Sequence, residues 1–414
     1  MDVRRSLATA VVVAVALAAA PAIRSDRAGA AEPAQVARSY VVPTRHGKIY
    51  VEVVRPAEGR VPAILTYSPY SVLGRNGDAS QWVPHGYARV WADVVGTGNS
   101  GGCYDYGGVR ERESAYDVVE WLARRPWSTG KVAMMGGSYN GTTAVAAAVE
   151  RPPHLTTIVP EAAISRWYEY AFSGGIRYFW TNEALGNQGP GSGADEGFDT
   201  PLAFDFGFAV PPPVDAGGPD WAERVESTMK PCDEIEHTAH GYDFDTPNYG
   251  RFWRERDYVR RAGAVDIPVL VAHNWGDWNV KQEEAINLYR GLVNAPVKRL
   301  YMGSRFRGHG TPSIGFAATV DAWFDHYLLG IPNGVPEGVP EVTSEMADDR
   351  GSLGNYTGPW PATTDVTLFA RADTRDPDYP WKLSVQTPRP PHQPKPALFS
   401  FTTGTHTEAA ANAN

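Results

Sequence analysis

Six short apolar runs, at residues 63–67, 88–95, 131–135, 156–159, 268–273 and 298–302, recur along the chain with helical patterns between several of them. Runs of this length with little polar alternation are the signature of parallel strands buried on both faces. Between them, residues 114–124 place Tyr116, Val119, Trp121 and Leu122 along one helical face. Residues 142–149 are Ala-rich, 282–292 carry apolar side chains at helical spacing, and 316–329 end at Gly330. Alternating β and α units joined by right-handed crossovers predict an α/β fold with a mostly parallel sheet covered on both sides. Ahead of it, residues 39–42 and 48–55 alternate apolar and polar around Arg45-His46-Gly47, which predicts an N-terminal hairpin.

The rhythm breaks twice. Residues 165–263 hold Gly/Pro clusters and many aromatics before the α/β pattern resumes at Asp266, which reads as a cap inserted over the sheet edge. From Ile331 the texture turns to Pro, Gly and Thr, which sets 331–414 apart as a partial β segment with a disordered tail. The core is then expected in two parts, 31–164 and 264–330. Residues 1–30 read as a signal peptide: Arg4 and Arg5 precede an apolar run from Leu7 to Ala20, and Ala28-Gly29-Ala30 offers a small-x-small cleavage pattern. That run is shorter than the ~20 residues a membrane-spanning helix needs, so a secreted, extracellular protein with no membrane span is expected. Export would place Cys103 and Cys232 where a disulfide persists, so a bridge between them is expected. With 38 Lys+Arg against 47 Asp+Glu and a net charge of −9, the chain lacks the basic surface that nucleic acid requires.

The chemistry is expected where strands end. Residues 131–136 form a short strand, Gly137-Ser138-Tyr139-Asn140-Gly141 a turn, and Thr142 opens a helix. A serine at a tight strand-to-helix bend flanked by glycines is the nucleophile-elbow arrangement. The pattern G-x-S-x-G is not strictly met, because Asn140 takes the last position and Gly141 follows one later. A serine needs a base and the base an orienting acid, in the chain order Ser, acid, His for this architecture. Asp277 lies in the turn after the run 268–273, and His309 in the loop after 298–302. Both are at carboxyl ends of strands, the edge where open α/β sheets build sites. The oxyanion donors expected are the Tyr139 N–H and, from the loop after the third strand, the Tyr70 hydroxyl.

Other motifs point elsewhere or nowhere. His326 reads as a helix residue and His273 as core. Cys232, Asp233, His237 and His240 match no zinc spacing, so no metal or cofactor is expected. Gly96-Thr97-Gly98-Asn99-Ser100-Gly101 satisfies G-x-G-x-x-G, but no helix start follows, so it does not predict a dinucleotide site. Asn140 and Asn355 each begin a glycosylation sequon, the first overlapping the elbow.

At 67–70, 93–102, 136–141, 160–170, 274–280 and 323–330 the sequence resembles the Xaa-Pro dipeptidyl-peptidase family of serine hydrolases, with its cocaine-esterase-like and α-amino-acid ester hydrolase branches. The specific segments are Gly-x-Ser-Tyr-x-Gly-Thr, Ile-Val-Pro-Glu-Ala-Ala-Ile-Ser-x-Trp-Tyr and Gly-Asp-Trp-Asn-Val. The resemblance implies an α/β-hydrolase fold with a helical cap and a C-terminal β jelly roll, here short. It implies Ser138, Asp277 and His309 as catalytic residues and Tyr70 as the hydroxyl oxyanion donor. It also implies Trp167 and Tyr170 as aromatic faces for a proline ring and Asn279 as a polar position beside the acid. Glu183 and Glu196 are candidates for holding the substrate ammonium group.

The function expected is cleavage of X-Pro dipeptides from peptide N-termini through an acyl-enzyme. The same three residues would also serve an ester or acylated amine substrate, and a non-catalytic exported binding protein is a third possibility. The sequence leaves the oligomeric state open.

Overall fold

Residues 35–44 and 47–56 alternate in burial, as their hydropathy requires: Ile49, Val51 and Val53 are buried, while Lys48 is exposed and Tyr50 and Glu52 half-buried. The computed structural model describes residues 34–70, 79–173, 248–277, 279–304 and 314–347, with shorter pieces at 176–177, 179–180, 198–199, 232, 308–309, 311–312, 353–359, 369–372 and 381–384. Residues 1–30, where a signal peptide is expected, most of 165–263, where a cap is expected, Glu183, Glu196, Asp233, His237, His240 and the tail from Glu408 lie outside the described residues.

β1 (Gln35–Thr44) and β2 (Gly47–Pro56) form the hairpin. They are followed by β3 (Val61–Ser68), α1 (Ala79–Trp82), β4 (Ala88–Asp93), α2 (Val109–Ala123), β5 (Ser128–Gly137), α3 (Tyr139–Val149) and β6 (Leu155–Glu161). Then come α4 (Trp167–Ala171) and four two-residue strands, β7 (Phe172–Ser173), β8 (Ile176–Arg177), β9 (Phe179–Trp180) and β10 (Phe198–Asp199). The α/β pattern resumes with α5 (Arg251–Glu255), β11 (Val269–Asn274), α6 (Gln282–Gly291), β12 (Lys298–Gly303) and α7 (Ile314–Phe324). After these come β13 (Val342–Ala347), β14 (Leu353–Gly358), β15 (Phe369–Ala372) and β16 (Trp381–Ser384).

Ten strands make one sheet in the order β1-β2-β4-β3-β5-β6-β11-β12-β13-β14. The six predicted apolar runs become β3, β4, β5, β6, β11 and β12, which are parallel neighbours from β4 through β12. All residues of β3, β4 and β11 are buried, which explains why these runs show no alternation. Helix α2 begins at Val109, five residues before its predicted start, because the Asp105 carboxylate accepts the N–H groups of Arg110 at 2.8 Å and Glu111 at 3.3 Å. The last predicted helix runs to Leu329 as a π-helical turn, closed by Gly330 in the left-handed region at φ 73°.

Within the segment 331–414, the described strands β13 and β14 are part of the main sheet. β13 runs parallel to β12 with Leu300 opposite Val342 and Met302 opposite Ser344, and β14 pairs antiparallel on its far side. Strands on an existing ladder gain what an isolated two-strand ribbon lacks. Among the described residues, β15 and β16 form a separate antiparallel pair.

Two apolar clusters cover the sheet. One gathers residues of α2, α3 and α6 with Tyr139, Trp167 and Tyr258, and the other packs Trp323, Phe324 and Phe316 of α7 on Ile64, Ala133 and Leu270. The surface Arg45–Asp117 pair at 3.1 Å fastens the hairpin tip to α2, but such exposed pairs contribute about 0–1 kcal/mol, so burial carries the fold.

Candidate active site

β5 delivers Ser138 without a loop. The strand ends at Gly137, α3 starts at Tyr139, and Ser138 between them takes φ 60° and ψ −127°. A left-handed non-glycine costs on the order of 1–3 kcal/mol, so its neighbours must hold it. Its N–H donates to the Glu161 carbonyl at 2.9 Å, and its carbonyl accepts from the Thr142 N–H and hydroxyl, both at 3.0 Å. Gly141 explains the departure from G-x-S-x-G. A Cβ there would lie 2.6 Å from the Glu161 oxygen and 2.7 Å from that of Gly136, so the glycine that matters is the one facing β6.

Asp277 sits in the turn after β11 and is 2% exposed. Its Oδ1 accepts the N–H groups of Asn279 at 2.9 Å and Val280 at 3.1 Å. Its Oδ2 lies 2.8 Å from His309 Nδ1 and 3.4 Å from His273 Nε2. Burial pushes the carboxyl upward, but the hydrogen bonds and charges of the two imidazoles outweigh it and hold Asp277 at about 2. An ionised carboxylate only accepts, so His309 carries its proton on Nδ1 and leaves Nε2 as the basic nitrogen. His309 keeps 26% of its side chain exposed.

The sequence set His273 aside as core. It is buried, but its Nε2–H also donates to the Val280 carbonyl at 2.9 Å, closing the turn that carries Asp277. Asn274, at the end of β11, donates its Nδ2–H to the Gly308 carbonyl at 3.0 Å, one residue before His309. Neither contact is legible in a motif: the first closes the turn after β11 on itself, and the second follows from β11 and β12 being neighbours.

Tyr70 ends the described loop after β3, where its N–H donates to Ser68 Oγ at 3.0 Å. Its hydroxyl is hydrogen-bonded to Ser138, and burial pushes the phenol up to about 12 despite that bond. Tyr139 is the first residue of α3, where a main-chain N–H has no partner within the helix. Its side chain points into the core, donating to Glu111 Oε2 at 2.7 Å and accepting from the Tyr104 hydroxyl at 2.9 Å. Burial, reinforced by the Asp105 charge, pushes Glu111 up to about 8. Cys103 and Cys232 are joined in a disulfide, and the Cys232 N–H donates to the Tyr104 carbonyl at 3.0 Å.

Of the residues implied for a proline pocket, Tyr170 and Asn279 meet each other: the Tyr170 hydroxyl donates to Asn279 Oδ1 at 3.0 Å. Trp167 is 0% exposed, packed between Tyr106 at 4.3 Å and Tyr139 at 5.2 Å between ring centroids, with its Nε1–H on the Tyr258 hydroxyl. It therefore supports the elbow from behind. The sequence also passed over Glu161, a buried carboxyl that burial raises to about 7 against a hydrogen bond from Thr311. Among the described residues no group of three His, Cys, Asp or Glu is placed to hold a metal, and no helix is long and apolar enough to cross a membrane.

A parallel sheet with a left-handed serine at a strand-to-helix bend and an Asp–His pair on later strand ends defines an α/β-hydrolase fold. Solved structures share that fold: a CocE/NonD family hydrolase from Staphylococcus aureus superposes with TM-score 0.61 at 20% identity, covering 81% of this chain and 58% of that one. An α-amino acid ester hydrolase superposes with TM-score 0.56 at 22% identity, covering 89% and 66%. The chain belongs to the S15 peptidase family, whose model, described as X-Pro dipeptidyl-peptidase, matches residues 47–305. A relative in Rhodopirellula baltica is 30% identical over 335 residues, 76% of this chain and 49% of that protein. The Xaa-Pro dipeptidyl-peptidase of Lacticaseibacillus casei is 31% identical over 323 residues, 70% of this chain and 37% of that one. The chain thus spans less than half the length of these curated relatives.

Proposed function

We propose that the chain is an exported serine hydrolase that removes X-Pro dipeptides from peptide N-termini, with Ser138 as nucleophile, His309 as base and Asp277 as orienting acid. The observation that carries this reading is the 2.8 Å contact between Asp277 and His309 at the ends of β11 and β12, on the sheet edge where β5 presents Ser138. His309 Nε2 takes the serine proton as Oγ attacks the carbonyl carbon of the proline residue. Asp277, already ionised, stabilises the imidazolium that forms. The Tyr139 N–H and the Tyr70 hydroxyl receive the oxyanion, and Tyr70 is suited because it stays a donor up to about pH 12. His309 then protonates the leaving amine, and water, activated by the same nitrogen, releases the dipeptide.

Family membership supports the peptide substrate, and the apolar N-terminal run with the Cys103–Cys232 bridge supports export. A second reading, hydrolysis of an ester or acylated amine by the same residues, draws on Trp167 and Tyr170, whose burial at 0% and 2% exposure encloses both aromatic faces a proline ring would use. Rates on an Ala-Pro anilide, a non-proline dipeptide anilide and an aryl ester decide between them. Ser138→Ala is expected to lose both hydrolysis and stoichiometric labelling by a fluorophosphonate; a Ser138→Ala protein that keeps hydrolysing the anilide removes the assignment.

A further inference from the structure

β13 lies beyond residues 47–305, the stretch the family model matches, yet two adjacent side chains on it reach both loops of the Asp–His pair. Ser344 Oγ accepts the indole Nε1–H of Trp275 at 2.8 Å, and Trp275 begins the turn that carries Asp277. Glu345 Oε2 accepts the main-chain N–H of Ser304 at 3.0 Å, and Ser304 is the first residue after β12 on the way to His309. Successive side chains leave a strand on opposite faces, so the two grips act from the two sides of the sheet.

Both residues are buried, Ser344 at 8% and Glu345 at 4% exposure. A buried carboxylate costs several kcal/mol unless it is hydrogen-bonded. Glu345 meets that need with the Ser304 N–H and, through Oε1, with the Tyr301 hydroxyl at 2.9 Å. Both donors belong to β12 and the residue that follows it, so the carboxylate is satisfied when the loop starts in this place. Asn274 secures the far end of the same loop through the Gly308 carbonyl.

We propose that Glu345, with Ser344 beside it, is a positioning residue for hydrolysis: β13 fixes where the His309 loop begins and where the Asp277 turn lies, and so sets the separation of acid and base. This rests on the triad reading given above. A misplacement of about 1 Å in such a constellation costs on the order of 10²-fold in rate without touching substrate binding.

The test compares wild type, Glu345→Ala, Glu345→Gln, Ser344→Ala and Tyr301→Phe by kcat and KM on an Ala-Pro anilide and an aryl ester, and by thermal melting. It adds the downfield proton NMR resonance of His309 Nδ1–H, identified by its loss in His309→Asn. Glu345→Ala is expected to lower kcat on the order of 10²-fold at nearly constant KM and to broaden that resonance. Glu345→Gln, which keeps an acceptor for Ser304, is expected to restore both, and Tyr301→Phe, which removes the second donor to the carboxylate but keeps the Ser304 bond, to fall between wild type and Glu345→Ala. Should Glu345→Ala not fold, Ser344→Ala carries the test, with a several-fold lower kcat and the same broadening expected. An unchanged resonance in Glu345→Ala or Ser344→Ala overturns the proposal, as does a glutamine variant no better than alanine. A wild-type protein that shows the resonance but hydrolyses nothing and takes no fluorophosphonate sinks the triad reading instead, and the resonance still decides for or against β13.

Discussion

The carbonyl of Glu161 receives the N–H of Ser138 at 2.9 Å and stands so close to Gly141 that a single added carbon there would lie 2.6 Å away. One peptide of β6 thus holds the strained serine and sets how near α3 can approach the sheet.

Gly141→Ala is therefore expected to push α3 off β6. Overpacking of this kind costs roughly 1–3 kcal/mol, and the Ser138 position moves with the helix. A lowered melting temperature together with a lower kcat checks this; an unperturbed protein would mean that β6 yields easily.

Tyr70→Phe removes the hydroxyl and little else. Loss of the proposed oxyanion donor is expected to lower kcat on the order of 10²–10³-fold with a small change in KM. Because burial holds Tyr70 at about 12, the wild-type pH–rate profile should show no alkaline limb from this phenol below that pH.

Asp277→Asn keeps the shape but cannot hold His309 in the productive tautomer, and a fall in kcat on the order of 10⁴-fold is expected. The folded value of about 2 lies below the ordinary 3.8, so the ionised carboxylate stabilises the fold fully above the unfolded value. That contribution, on the order of 2 kcal/mol, disappears as pH falls through the range between them. Urea midpoints of wild type and variant should converge toward pH 2.

Glu111 works in the opposite direction. Its folded value of about 8 lies above 4.5, so its contribution is complete below 4.5 and is lost as pH rises through 8. Glu111→Gln keeps an acceptor for the Tyr139 hydroxyl without the charge. The variant should gain on wild type in unfolding free energy as pH rises from about 4.5 to about 8, by about 1.4 kcal/mol per pH unit while the folded carboxyl keeps its proton, and gain no more above that. Parallel curves would show that the carboxyl ionises without cost.

Much of this was legible because it is local. Strands β3 to β6, β11 and β12 announced themselves as apolar runs, and the expected order Ser138, Asp277, His309 came from which loops trail them. What was hidden depends on neighbours in space. The 331–345 stretch, rich in Pro and Gly, carries no strand signal strong enough to show that β13 would lie beside β12. The indole of Trp167 belongs to a specific segment, but only packing against Tyr106 and Tyr139 reveals that it is enclosed. Asn140 looked like a flaw in a motif until Gly141 was seen against β6.

The bridge from Cys103 to Cys232 spans 129 positions of sequence. A protease that nicks the chain anywhere between those two sulfurs cannot release either half: the severed protein would migrate as one species until a reductant is added, and only then fall into two. Resistance to proteolysis judged on unreduced gels would therefore overstate how intact the molecule is.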